Sequence, residues 1–233
     1  MSTYVLVHGA WHSGQCWDRV VPLLAEAGHE VHAPTLTGHG DTVDLLGPDV
    51  GLGTYVDDVV RLLLGHDLTD VVLVGHSFAG MIISAVANEV PGRIGHLVYL
   101  DAMDPVDGQT AVDVAPPAQG MLDAAAASGT PWRLPPMSPA FLGVTRPEDV
   151  AWLETMLTDE SARAFQEPVK LGNPALGAIP ATYLRCVADR PARPPASTVR
   201  PNGLPVRVRE LESGHDSMIT APRELAEVLL EVV

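Results

Sequence analysis

Short apolar runs recur along this chain, separated by stretches in which the apolar positions adopt a longer period. The runs at 4–8, 30–34, 71–74, 96–101, 181–188 and 206–211 are continuous or β-branched, as in VVLV and LVYL. Continuity of that kind suits strands of a parallel sheet buried on both faces. Between the runs, Val56, Val59, Val60, Leu63 and Leu64 form a stripe at helical spacing, and Thr54 with Asp57 reads as its capping box. Near the C-terminus, Thr220, Pro222 and Glu224 precede Leu225, Val228, Leu229 and Val232, a second amphipathic helix. Strand and helix alternate, so the expected fold class is α/β, a mostly parallel sheet of about six strands flanked by helices.

The alternation lapses from about 104 to 178, which contains no convincing strand. A structureless loop of that length is improbable inside one domain, so this segment is expected to be a helical insertion forming a lid. Its Ala-rich stretch LDAAAAS and the helix start at Pro147, Glu148 and Asp149, followed by Trp152, Leu153, Met156 and Leu157, fit that expectation. The Pro-rich RPARPPAS at 190–197 reads as a loop. The whole chain, 1–233, is expected to form a single domain.

Composition narrows the function. The 233 residues are 46% hydrophobic and 18% charged, ordinary for a globular protein, with a formal charge of −15 and Lys170 as the sole lysine. No basic patch is available for nucleic acid or an anionic membrane surface. No apolar run approaches the roughly 20 residues of a membrane span, and the start of the chain lacks the pattern of a signal peptide. Cys16 and Cys186 stand far apart, which suggests neither a metal site nor a disulfide framework. The expectation is a cytoplasmic protein with a small-molecule partner; a homodimer is left open.

Candidate chemistry begins at VLVGHSFAGMII, residues 72–83, where a strand turns through Gly75, Ser77 and Gly80 into a helix. A serine held at such a corner in strained backbone projects its hydroxyl, with the following helix directing its dipole at the same point. An ordinary N-cap serine is the plainer alternative. The surrounding motifs decide for the first. LVHGAWHSGQCWDRVVPLLAEAGHEVHAPTLTGHG, VGHSFAGM and RCVADR followed by SGHDSMITAPRELAE together resemble the α/β-hydrolase family over nearly the whole chain. The resemblance is closer to its compact branch of plant methylesterases, hydroxynitrile lyases and bacterial esterase relatives. One departure is Ala79, standing where the second glycine of the usual GxSxG is expected.

A serine nucleophile needs a base and an acid that orients it. His215, after the last strand, is the base by loop position and by resemblance. Asp189 is chosen as the acid by resemblance, with Asp101, also at a strand end, as the rival. Asp216 is expected to be a solvated loop carboxylate, and the other histidines, His8, His12, His39 and His76 among them, to be structural or solvated. The oxyanion hole is expected from the backbone N–H groups of Phe78 and Ala10, with Gly9 allowing close approach of that loop. Trp11 and Trp132 are candidate pocket walls, and Trp17 is expected in the core.

Lyases on this scaffold resemble esterases but carry a threonine and a lysine where this chain has Gly9 and Asp216, so cyanogenic lyase activity is disfavoured. The resemblance implies a serine hydrolase, carboxylesterase-like, that cleaves a small or medium-sized apolar ester through an acyl-enzyme, with no metal or organic cofactor. The alternatives are C–C bond hydrolysis, cyclisation or elimination on a polyketide-like metabolite, and a ligand receptor that keeps the triad. High Ala, Gly, Pro and Arg with scarce lysine looks bacterial and lends the receptor no support. Trp132, Phe141, Trp152 and Met156 are expected to give the lid an apolar underside.

Overall fold

The computed structural model describes residues 1–188 and 197–232. In chain order its strands are β1 (Thr3–Val7), β2 (Glu30–His32), β3 (Val71–His76), β4 (Ile94–Leu100), β5 (Arg133–Leu134), β6 (Glu160–Ser161), β7 (Ala181–Cys186) and β8 (Arg207–Leu211). Six of them form one sheet in the order β2-β1-β3-β4-β7-β8, with every pairing parallel. All six apolar runs therefore become strands, each within a few residues of its expected limits.

Successive residues of a strand face opposite sides, and here both sides are apolar. Val5, Val7, Val71, Leu73, Leu97 and Tyr99 belong to one buried cluster, into which the helices Leu52–Gly65 and Ala79–Glu89 pack. Tyr4, Leu6, Val72, Val74, Val98 and Leu100 belong to the other, covered by Val21–Glu26 and Pro222–Leu230. Truncating a fully buried leucine such as Leu73 to alanine costs about 2–5 kcal/mol in a core of this kind. The helix Leu52–Gly65 starts two residues before the expected cap: Gly51 is its N-cap, and Thr54, at the third helical position, accepts from the Gly51 N–H through Oγ1.

The segment between β4 and β7 carries the helices Ala111–Val114, Ala118–Ala126, Pro147–Glu154 and Ala162–Gln166. It also holds strands, contrary to expectation: β5 and β6 pair antiparallel as a two-residue ribbon, too short to leave a period-2 signature. Ala118, Leu122 and Phe165 of this insertion pack into the first cluster, and Leu142, Val144, Leu153 and Met156 into the second. It thus reaches the cores on both sides of the sheet.

Candidate active site

Parallel register brings the candidate residues together at the C-terminal edge of the sheet. His76 at the end of β3 lies opposite Leu100 at the end of β4, so Ser77 and Asp101 leave adjacent strands side by side. Ser77 N–H donates to Leu100 O (3.1 Å) and Asp101 N–H to Leu184 O (2.7 Å), which holds both residues on the sheet. Each has left-handed backbone, φ +55° at Ser77 and +43° at Asp101, and Trp11 on the neighbouring loop has φ +68°. Non-glycine residues held in that region are uncommon and cluster at functional sites. Gly80 makes the corner feasible: a Cβ there would lie 1.8 Å from Met103 O. The position that must be glycine is therefore Gly80, while Ala79 is accommodated, fully buried, in the first core cluster.

His215 arrives on the loop after β8. Its Nε2 accepts from the Ser77 hydroxyl at 2.9 Å, and its Nδ1–H donates to Asp101 Oδ2 at 2.6 Å. The histidine side chain is 15% exposed and the aspartate 3%, a pair partly open to solvent at one end and enclosed at the other. Asp101, the rival from the sequence, is thus the carboxylate at His215 Nδ1. Asp189 lies outside the described residues. On the other flank, β1 pairs with β3, placing the loop that begins at His8 beside the serine. A Cβ on Gly9 would come within 2.9 Å of His76 Nδ1 and 3.0 Å of Ser77 Cβ, so glycine permits the contact between the two loops. Among the described residues, the backbone N–H groups of Ala10 and Phe78 donate to no protein acceptor.

Beneath His215 lies a group of polar residues that corrects the reading of Asp216 as solvated. Asp216 is fully buried; its Oδ2 meets His12 Nε2 at 3.0 Å, and its Oδ1 lies 3.7 Å from His76 Nε2. His12 Nδ1 in turn lies 2.7 Å from Ala10 O, and His76 Nε2–H donates to His215 O at 3.0 Å. Burial opposes ionisation of Asp216, but the adjacent His12 outweighs it and holds the carboxyl below its ordinary value. His12, although burial works against its charge, is raised by Asp216. Burial and the neighbouring His215 push His76 down to about 3, so it stays neutral. His76, His215 and Asp216 also bring one ligand atom each within 4.8 Å of one another, but both nitrogens of His215 are engaged by Ser77 and Asp101.

A second buried network ties the insertion to the body of the fold. His39 meets Thr158 Oγ1 at 3.0 Å and Tyr55 OH at 3.3 Å, and Tyr55 OH donates to Glu160 Oε1 at 2.5 Å. Burial works against the Glu160 charge, yet His39 and these hydrogen bonds hold the carboxyl below its ordinary value. Thr158 N–H donates to Trp11 O, and the Trp11 indole N–H donates to Leu134 O at 3.0 Å. Trp11 is therefore a buried strut between the loop after β1 and the insertion. Trp17 is core, as expected.

Phe141, Trp152 and Met156, expected on an apolar underside of the insertion, are arranged differently from expectation. Phe141 is 69% exposed, Met156 is buried in the second cluster, and Trp152 packs beside that cluster with the Arg19 guanidinium over its ring. Trp132 is half-buried, stacked by Arg133 and packed against the first cluster. An aromatic that sequence reasoning missed is Phe165, its ring stacked on Phe78 at 4.6 Å and 6.3 Å from Trp11 between centroids. Its only signal was an isolated phenylalanine in a helix of five residues.

Known proteins resemble this chain over nearly its whole length. The profile of the alpha/beta hydrolase family matches residues 4–228. A carbendazim hydrolyzing esterase from Nocardioides sp. is 33% identical, covering 98% of each chain. A pyrethroid hydrolase from Sphingobium wenxiniae is 30% identical over 97% of this chain and 86% of its own. A solved structure described as an extracellular alpha/beta-hydrolase from a Paenibacillus species, with homology to tobacco salicylic acid binding protein 2, superposes with a TM-score of 0.85. It is 27% identical and covers 99% of this chain and 98% of its own.

Proposed function

The chain belongs to the alpha/beta hydrolase family and is a carboxylesterase-like hydrolase; within that class we propose that Ser77, His215 and Asp101 form its catalytic triad and that its substrates are small or medium-sized apolar carboxylic esters. The observation that carries the reading is the continuous chain of hydrogen bonds from Ser77 Oγ through both ring nitrogens of His215 to Asp101. His215 takes the serine proton as Oγ attacks the ester carbonyl, and Asp101 fixes the tautomer and stabilises the imidazolium. The oxyanion is received by the N–H groups of Ala10 and Phe78, the latter at the start of the helix Ala79–Glu89. His215 then protonates the departing alcohol, and water, activated by the same histidine, releases the acid.

The cluster of Trp11, Phe78 and Phe165 is buried core, and support for an apolar substrate comes from the named substrates of the two esterase and hydrolase relatives. The lyase alternative loses ground on a steric argument, because Gly9 leaves no room for a threonine side chain. Asp216, standing where the lyases carry a lysine, is paired with His12 and does not present a bare charge to a leaving group.

A fluorophosphonate should label Ser77 stoichiometrically, and Ser77→Ala should lower kcat/KM for a short p-nitrophenyl ester by several orders of magnitude while the circular dichroism stays native. A folded Ser77→Ala protein within tenfold of wild type would overturn the assignment. The names of the two relatives make carbendazim and a pyrethroid the first larger substrates to assay.

A further inference from the structure

The two loops that carry the proposed machinery come from opposite ends of the chain. One holds Ala10, the proposed oxyanion donor; the other holds His215. They meet through one side-chain contact, His12 Nε2 to Asp216 Oδ2 at 3.0 Å, across 204 residues of sequence. Both partners are sealed from solvent, at 1% and 0% exposure.

The protonation state follows from the acceptors. His12 Nδ1 faces Ala10 O at 2.7 Å, and Nε2 faces a carboxylate oxygen. A carbonyl and a carboxylate only accept, and a neutral imidazole has one N–H, so only the imidazolium donates to both. Buried charges persist when paired and hydrogen-bonded, and this pair satisfies that condition from within the fold. The same two residues grip both loops through the backbone. His12 holds the carbonyl of Ala10, while Asp216 directly follows the base and donates its N–H to Leu142 O at 3.0 Å. Around the pair, His76 and His215 face Asp216, Glu160 contributes more distant charge at His12, and the charge of His12 in turn disfavours protonation of His8.

We propose that His12 and Asp216 form a buried ion pair that locks the oxyanion loop to the base loop, and that both are positioning residues for ester hydrolysis at Ser77. The proposal rests on the hydrolase reading above. It acts through geometry: loss of the pair frees the Ala10 carbonyl and the loop of His215 to shift independently, and misplacement of about 1 Å at a reacting centre can cost about 100-fold.

The test measures kcat per fluorophosphonate-titrated Ser77, so that misfolded molecules are not counted. Asp216→Ala and His12→Gln are each expected to lose about 10–100-fold in kcat with KM within about threefold, and the double variant to be no worse than the poorer single one. Asp216→Asn, which keeps a hydrogen-bonding partner for His12 without the charge, should lie between these and wild type; it carries the test if the alanine variant does not fold. Histidine 15N spectra at about pH 8, where an ordinary imidazole is neutral, should show His12 as an imidazolium in wild type and as a neutral ring in Asp216→Asn. Variants within threefold of wild type per titrated site, or a neutral His12 in the wild-type spectrum, would overturn the ion pair. A wild-type protein that neither labels at Ser77 nor turns over esters would instead overturn the hydrolase reading.

Discussion

At the scale of single residues, the sharpest question is which aspartate serves His215. Hydrogen bonding puts Asp101 on Nδ1, and its left-handed backbone at a strand end resembles that of Ser77. Asp101→Asn is expected to lower kcat by about 10³–10⁴-fold, because an amide favours the wrong tautomer, whereas Asp189→Asn should stay within about tenfold. Steady-state kinetics on both proteins, after each shows native circular dichroism, decides; a larger loss in Asp189→Asn would give the role to that residue. Ser77 and His215 were legible in the sequence because a strand-Gly-x-Ser turn and a histidine after the last strand have few other uses. The acid was left open, since Asp101 and Asp189 both follow apolar runs; hydrogen bonding puts Asp101 at Nδ1, and Asp189 lies outside the described residues. Asp216 was misread because burial of a loop carboxylate depends on a partner 204 residues away.

At the scale of elements, the sheet was readable because both its faces are apolar, whereas the insertion is built from short pieces. A ribbon of two residues per strand and helices of four or five carry too little periodicity to be placed from sequence. The consequence is a revised account of its aromatics. Phe165 supports Phe78 by a stacked contact at 5° between ring planes, while Trp132 is half-buried and farther along the insertion. Phe165→Ala should cost about 3–5 kcal/mol of stability and reduce kcat/KM equally for a small and a bulky ester, since it acts through the residue that bears an oxyanion donor. Trp132→Ala should penalise the bulky ester selectively, by about 1–3 kcal/mol in transition-state binding. Parallel kcat/KM measurements on an acetate and a bulky aryl ester test both expectations, and equal losses for Trp132→Ala would assign that side chain to packing within the insertion.

At the scale of the whole molecule, function has placed an unusual load of buried ionisable groups behind one sheet edge, and they should govern how stability responds to pH. Burial holds His8 well below its ordinary value and His76 at about 3, so both stay neutral in the fold but take up protons on unfolding below about pH 6.5. Through these two groups the unfolded chain binds up to about two more protons than the native one, and their share of stability falls on acidification by up to about 2.7 kcal/mol per pH unit. Asp216 and Glu160, held below their ordinary values in the fold, act in the same direction: their contribution is present above about pH 4 and is lost as pH falls through their folded values. His12 has the opposite sign. Its folded value is raised, so its contribution is complete below about pH 6.5 and is lost only as pH rises through that raised value. His96, also lowered by burial, acts in the same direction, so urea unfolding between about pH 5 and 6 reads the three histidines together, and His76→Gln should reduce the slope there by up to about 1.4 kcal/mol per pH unit. An unchanged slope in a folded His76→Gln protein would mean that His76 already carries its proton in the native state, and would place a second positive charge beside Asp216.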